Sequence, residues 1–205
     1  MKRLGIEDNV VMIPHGIYPP PSKSAEPLPI EGRVIGTFGF LLPHKGQLEL
    51  VEAFERLPGW DKLLLLCATR EGTGNTEKKI NSLIESKGLA DRVQLVTEFL
   101  DDEVAIATLA KCELLVFPYQ NTKESASGAV RMGVASGVPL AVSPIPIFDD
   151  VSGAIRMRGK SVDDIVASIS MISEDELESS RQAIVELRDS LQWDEVAKRI
   201  QERLR

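Results

Sequence analysis

At 205 residues, with 43% hydrophobic and 27% charged side chains, the chain has the make-up of one large globular domain able to bury a full core. A net charge of −7 argues against nucleic acid as its main partner, and no apolar run approaches the ~20 residues of a transmembrane segment. The start, Met1 to Asp8, moves straight into charged residues without a signal-peptide pattern, so a cytoplasmic location is expected.

Asn9 to Ile13 reads as a short apolar strand, closed by Pro14 and Gly16. The stretch from Tyr18 to Pro29 holds five of the chain's 12 prolines, which makes it stiff, extended and suited to connecting two structural units. A regular alternation follows. Arg33 to Gly39 is a strand, and a helix after it carries Leu50, Phe54 and Leu57 on one face, flanked by Leu48 and Val51. Lys62 to Cys67 is a leucine-rich buried strand. A loop with Gly72 and Gly74 reads as a turn and leads to a helix with Ile80, Leu83 and Ile84 that ends at Gly88. Val93 to Val96 is the next strand, and Asp101 is placed to cap a helix running through Ala110.

Glu113 to Phe117 is again apolar, and Pro118, lacking an N–H, stops it. A helix is expected to begin around Glu124 and Ser125 and to end at Gly137, before a short strand from Pro139 to Ser143. Ser161 with Asp164, and Ser173 with Glu176, have the spacing of capping boxes. The last helix aligns Val196, Ile200 and Leu204. Strands apolar on both faces and separated by single helices predict an α/β fold, a Rossmann-like doubly wound parallel sheet with C-terminal helices. The divisions expected are residues 1–30 as strand and connector, 31–160 as the core, and 161–205 as a helical segment of the same domain.

In such sheets ligands bind beyond the carboxyl ends of the strands. Three loops compete for that edge, Phe40–Gly46, Ala68–Asn75 and Pro118–Ser127, and the last is the strongest candidate. A helix start offers unpaired N–H groups and partial positive charge, and the small side chains of Ser125, Ala126, Ser127 and Gly128 would let an anion come close. The same small residues also serve plain helix–sheet packing. Lys45, beside another helix start, is either a phosphate ligand or a solvated surface cation. The loop around it is no Walker motif, and no Gly-x-Ser-x-Gly elbow supports serine chemistry. With two His and neither CxxC nor HExxH, no metal signature is present. Cys67 and Cys112, in apolar runs, read as buried free thiols. The pairs Asp101–Asp102 and Asp149–Asp150 are explained most simply by capping and turn formation.

The motif G-x-L-x-P-x-K-G at Gly39 to Gly46, with Glu124 and the Gly137 to Val142 strand about eighty residues on, resembles the carboxyl-terminal, donor-binding half of GT-B glycosyltransferases, and within them the retaining family 4 group, the glycosyl transferases group 1. The likeness extends from the Ile13 to Ile17 segment to Trp193, which is similar to the family's W-x-x-V/A helix.

The resemblance implies one half of a GT-B fold that takes a nucleotide-diphosphate sugar donor and serves a glycan or lipid-linked acceptor with retention, without cofactor or metal. It implies catalytic roles for Lys45 at the donor diphosphate and Glu124 at the donor sugar. The N–H groups of Ser125, Ala126, Ser127 and Gly128 would cradle the phosphates, Gly39 would let them approach, and Thr97, Phe99 and Leu100 would line the base.

Two positions depart from the family pattern. Phe40 stands where a basic residue is usual, and Met132 stands where a second acid, eight positions after Glu124, would take ribose hydroxyls; Arg131 beside it is expected to point elsewhere. GT-B enzymes have two such domains, so an N-terminal acceptor domain on another chain, or a homodimer through the last helix, is expected. The alternatives are a non-catalytic nucleotide-sugar-binding or scaffolding module and, more distantly, a signalling domain phosphorylated at Asp101 or Asp149.

Overall fold

The computed structural model describes residues 13–70, 74–124 and 126–203. Six strands form one sheet: β1 (Val34–Phe40), β2 (Lys62–Ala68), β3 (Val93–Val96), β4 (Leu114–Phe117), β5 (Leu140–Val142) and β6 (Ile155–Arg156). Their order is β3-β2-β1-β4-β5-β6, and every pairing is parallel. The helices are α1 (Gln47–Phe54), α2 (Gly74–Ser86), α3 (Asp102–Leu109), α4 (Gly128–Ser136), α5 (Val162–Met171), α6 (Glu174–Ser190) and α7 (Trp193–Arg203). This is the Rossmann-like arrangement, in which the direction of winding reverses between β1 and β4.

The continuous apolar runs of the central strands have a direct cause: β1, β2 and β4 each feed two cores. Ile35, Leu63, Leu65, Leu114 and Val116 pack with Leu50, Phe54, Ile80 and Ile165 on the face covered by α1, α2 and α5. Val34, Leu64, Leu66, Leu115 and Phe117 face the other way, toward Ile106, Val130, Val134 and Ile184. Alternate residues point to opposite faces of a strand, so burial on both sides requires apolar residues at every position. Cys67 and Cys112 are free and buried, and burial pushes both thiols up to about 12.

The connector is tied to this body. The Ile17 N–H donates to the Leu191 carbonyl at 2.7 Å, Leu28 and Ile30 pack against the α3–α4 core, and the Leu28 N–H reaches Thr108 Oγ1 at 3.0 Å. Most of the expected first strand, residues 9–12, lies outside the described residues, as do Gly72 and Leu204; Ile13 itself is not in a strand. The Trp193 ring lies over Gly16, where a β-carbon would fall 2.3 Å from it.

Several local expectations are corrected. Asp101 stands at the N-cap of α3, but its side chain makes no capping bond. Ser161 and Asp164 form a full capping box, whereas at α6 the observed bond is the first half, Ser173 accepting from the Glu176 N–H. Helix α4 starts at Gly128, later than Glu124 and Ser125, because Ser127 takes the N-cap and accepts from the Val130 N–H. Val196 is covered by its own chain and offers no surface to a partner.

Gly46, between β1 and α1, has φ +74°, and a β-carbon on it would sit 2.0 Å from the Pro118 carbonyl oxygen. Gly59 has φ +86° with open space around it. Gly59→Ala should therefore cost about 1–2 kcal/mol, from backbone conformation alone. Gly46→Ala should cost clearly more, because the obstructing atom belongs to the backbone. Urea unfolding of the two variants provides the check; equal losses would contradict the close approach at Gly46.

Candidate functional site

The loop leaving β1 and the loop leaving β4 meet at the point where the winding reverses. The first descends through a single 3-10 turn, Pro43–Lys45. The second begins at Pro118 and delivers Tyr119, fully buried, beneath it. The Gln120 N–H donates to the His44 carbonyl at 2.8 Å, so the two loops are hydrogen-bonded as well as packed. Lys45, whose side chain is only 9% exposed, donates to Glu124 Oε2 at 2.6 Å. Its ammonium also stands 4.0 Å from the centre of the Tyr119 ring. His44 Nε2 lies 3.3 Å from the other Glu124 oxygen.

Tyr119 and Ser127 join hydroxyls at 2.8 Å, and the same Ser127 oxygen accepts from the Val130 N–H at 3.3 Å. Burial pushes the Tyr119 phenol well above its usual range, so it keeps its proton and acts as a neutral prop. The start of α4 is thus held in place from below by an aromatic residue of the β4 loop.

Above these groups opens a cleft of about 580 Å³, a size typical of small-molecule sites. Of the residues singled out in the sequence, Gly39, Lys45 and Glu124 line it on one side. Ala126, Ser127 and Gly128 line the α4 side, and Phe99 and Leu100 the β3–α3 side. Gly39 has φ +133°, and a β-carbon there would meet the Ala129 methyl at 3.1 Å, so glycine permits the end of β1 to lie against α4. Gly128 has nothing within 4 Å of where its β-carbon would be, so there is open space beside the start of α4.

Thr97 does not line the cleft; its carbonyl accepts from the Thr69 N–H instead. Ser125 lies outside the described residues. Because α4 begins at Gly128, the N–H groups of its first turn are those of Gly128, Ala129 and Val130, a shift from the Ser125–Gly128 run expected from the sequence.

The cleft also contains residues that sequence reasoning missed or set aside. His15 and Tyr18 reach it from the connector, and the environment of Tyr18 includes a hydrogen bond with Asp102. Arg70 stacks near Phe40 at 5.5 Å, so a cation lies beside the position expected to lack one. Arg131 and Met132 both line the cleft, which corrects the expectation that Arg131 points elsewhere. The available signal was spacing: positions 128, 131 and 132 share a helix face once the helix starts at Gly128. Asp150 likewise does more than form a turn, since it accepts a hydrogen bond from Arg131 Nη2. Among the described residues no group of three or more His, Cys, Asp or Glu is placed to hold a metal ion, and no helix is long and apolar enough to cross a membrane.

A sequence model of the family described as glycosyl transferases group 1 matches residues 21–188. Comparison with curated proteins returns no match. Among solved structures, sucrose-phosphate synthase from Thermosynechococcus elongatus is similar with a TM-score of 0.76 and 19% identity, over 93% of this chain and 50% of that one. HepE from Anabaena, in complex with UDP and glucose, gives 0.71 at 17% identity, over 83% of this chain and 47% of that one. The C-terminal domain of a glycosyl transferase group 1 family protein, LpcC from Francisella tularensis, gives 0.64 at 18% identity, over 77% of this chain and 85% of that domain. The chain therefore spans about half the length of the first two and most of the isolated domain.

The Lys45–Glu124 contact has a pH signature. Burial pushes the Glu124 carboxyl up, but the hydrogen bond and charge of Lys45, with help from His44, outweigh it and hold the group below its usual 4.5. A carboxylate lowered on folding stabilises the fold fully above its unfolded value of 4.5, and that contribution is lost as pH falls through the lower folded value. The stability gap between wild type and Glu124→Gln in urea should be widest at neutral pH and close on acidification below 4.5. A gap that stays constant through the acid range would show that the contact contributes nothing.

Proposed function

The chain belongs to the glycosyl transferases group 1 family, and from that premise we propose that it binds the nucleotide-diphosphate sugar donor of a retaining glycosyltransferase. The observation that supports this most strongly is the meeting of the Lys45 ammonium and the start of α4 on one cleft at the reversal point of the sheet. Breaking the bond between the sugar's anomeric carbon and the diphosphate oxygen leaves negative charge on the diphosphate. A preorganised cation and the amides of Gly128 and Ala129 would stabilise that charge as it develops. Glu124, held by Lys45, would accept hydrogen bonds from sugar hydroxyls. The acceptor hydroxyl would then bond to the anomeric carbon on the face the diphosphate leaves, and its proton would pass to the departing phosphate oxygen.

We further propose a glycan or lipid-linked acceptor, supplied by a second, N-terminal type of domain on the rest of the protein or on another chain. The support is the length comparison: HepE and sucrose-phosphate synthase are each about twice as long as the part matched here. A second reading, a binding module without turnover, draws support from Met132, an uncharged side chain on the cleft wall at the position where the family pattern has a second acid.

Calorimetry with UDP and GDP tests the reading. Lys45→Ala, with folding verified by thermal melting, should weaken diphosphate binding by about ten-fold or more. In an assembly that turns over, it should lower the rate by roughly 100-fold, and chelation of divalent metals should leave the rate unchanged. Absence of nucleoside diphosphate binding by the wild type would overturn the proposal, and binding without sugar transfer in any assembly would select the module reading.

A further inference from the structure

Glu124 is held from two directions, and one of the two holders stands outside the cleft. Lys45 Nζ donates to Oε2 at 2.6 Å, and His44 Nε2 lies 3.3 Å from Oε1. The two residues are consecutive in the 3-10 turn Pro43–Lys45, so one short stretch of the β1 loop meets both oxygens of a carboxylate on the β4 loop. Among the described residues, Lys45 lines the cleft and His44 does not.

The chemistry of Glu124 fixes the direction of the His44 contact. Burial pushes its carboxyl up, yet Lys45 and then His44 hold it below its usual 4.5, so at neutral pH it is a carboxylate. A carboxylate only accepts, so Nε2 carries the proton and donates it. The two oxygens offer about four lone-pair sites, and two protein donors leave room for the hydroxyls of a ligand.

The loop explains why one holder is not enough. Its first part is well fastened: the Gln120 N–H donates to the His44 carbonyl at 2.8 Å, Gln120 Nε2 to the Lys160 carbonyl at 3.1 Å, and Lys160 Nζ to Asn121 Oδ1 at 2.6 Å. Further along, the Glu124 N–H bonds locally to Thr122 Oγ1 at 3.1 Å. Among the described residues, the hydrogen bonds that tie residues 122–124 to other segments are those of the Glu124 carboxylate. On the function proposed above, on which this inference rests, Lys45 also serves the donor diphosphate and Glu124 the donor sugar. An ammonium is a compact charge with rotatable donors, so it gives the carboxylate little direction once a diphosphate shares it. The imidazole is planar, lies off the cleft and is anchored through its own backbone carbonyl. We infer that His44 is a positioning residue: its Nε2–H fixes the Glu124 carboxylate in the orientation that accepts hydroxyls of the donor sugar, whether or not the diphosphate engages Lys45.

The test reads the sugar apart from the nucleotide. Wild type, His44→Ala, His44→Phe, His44→Gln, Glu124→Gln and the double variant His44→Ala with Glu124→Gln are titrated calorimetrically with UDP and with UDP-glucose. Thermal melts report the folded state of each, and the quantity compared is the ratio of UDP-glucose to UDP affinity. His44→Ala should lower that ratio about five-fold while UDP affinity stays within about two-fold of wild type. His44→Phe keeps a ring without a donor; it should lower the ratio equally, and it decides the matter if the alanine variant does not fold. His44→Gln, which can place an N–H near the same point, should restore most of the ratio. Glu124→Gln should lower the ratio at least as far as His44→Ala does. The double variant should then go no lower, because His44 acts through that carboxylate. An unchanged ratio in His44→Ala and His44→Phe would overturn the inference, as would equal losses of UDP and UDP-glucose, a wild-type ratio in Glu124→Gln, or a further drop in the double variant. Wild type binding neither ligand would overturn the donor-site reading itself, a separate outcome from any of these.

Discussion

The site depends on one close approach, that of the Gly46 backbone to the Pro118 carbonyl, where no side chain of any size would fit. Strand order is its cause. β1 and β4 lie side by side although β2, β3 and their helices separate them in sequence, so their following loops leave a shared edge in different directions. The crevice between those loops is where Lys45 meets Glu124 and where Tyr119 reaches Ser127. Lys45 is thereby held over an aromatic ring, and the start of α4 is fixed relative to it. A site made of a cation and a helix terminus needs that relative placement more than it needs any particular loop sequence.

Two of the cations on the cleft, Lys45 and Arg131, are neutralised in a consistent way. Lys45 is 9% exposed and its partner Glu124 38%; Arg131 is 3% exposed and Asp150 54%. In each pair the cation is removed from water while the carboxylate keeps part of its hydration. The desolvation cost then falls mainly on one ion and is offset by a short hydrogen bond from it. Both cations are thereby held in place by their carboxylates. The overall charge of −7 is compatible with this, because the fields that matter in a narrow cleft are those of the groups lining it.

Much of this was legible in the chain. The runs at Lys62 and Leu114 are apolar without alternation, and they appear as strands buried on both faces, while those at Val34 and Val93 appear as strands that are buried only in part. The G-x-L-x-P-x-K-G loop and Glu124 could be named in advance, and the fold brings them into contact. Helix starts were harder. Ser125 and Ser127 are equally good caps by residue type, and what distinguishes Ser127 is the Tyr119 hydroxyl beneath it, a residue eight positions earlier that only the folded loop brings near. Asp101 has a capping residue's chemistry without the bond. The two-residue strand β6 has too little sequence to carry a period, and it exists because β5 offers it an edge. Val196 appeared to need a partner, yet the folded chain buries it.

By itself, then, the order of residues determined which segments are strands and helices, that the sheet is parallel and covered on both faces, and which loops compete for its ligand edge. These follow from periodicity and turn chemistry, which act over a few residues. Only the tertiary structure decided that α4 begins at Gly128, that Thr97 does not line the cleft, and that Arg131 does, paired with Asp150. Those outcomes depend on contacts between segments distant in sequence, and on a helix a shift of one or two positions turns a side chain from the packed face to the open one.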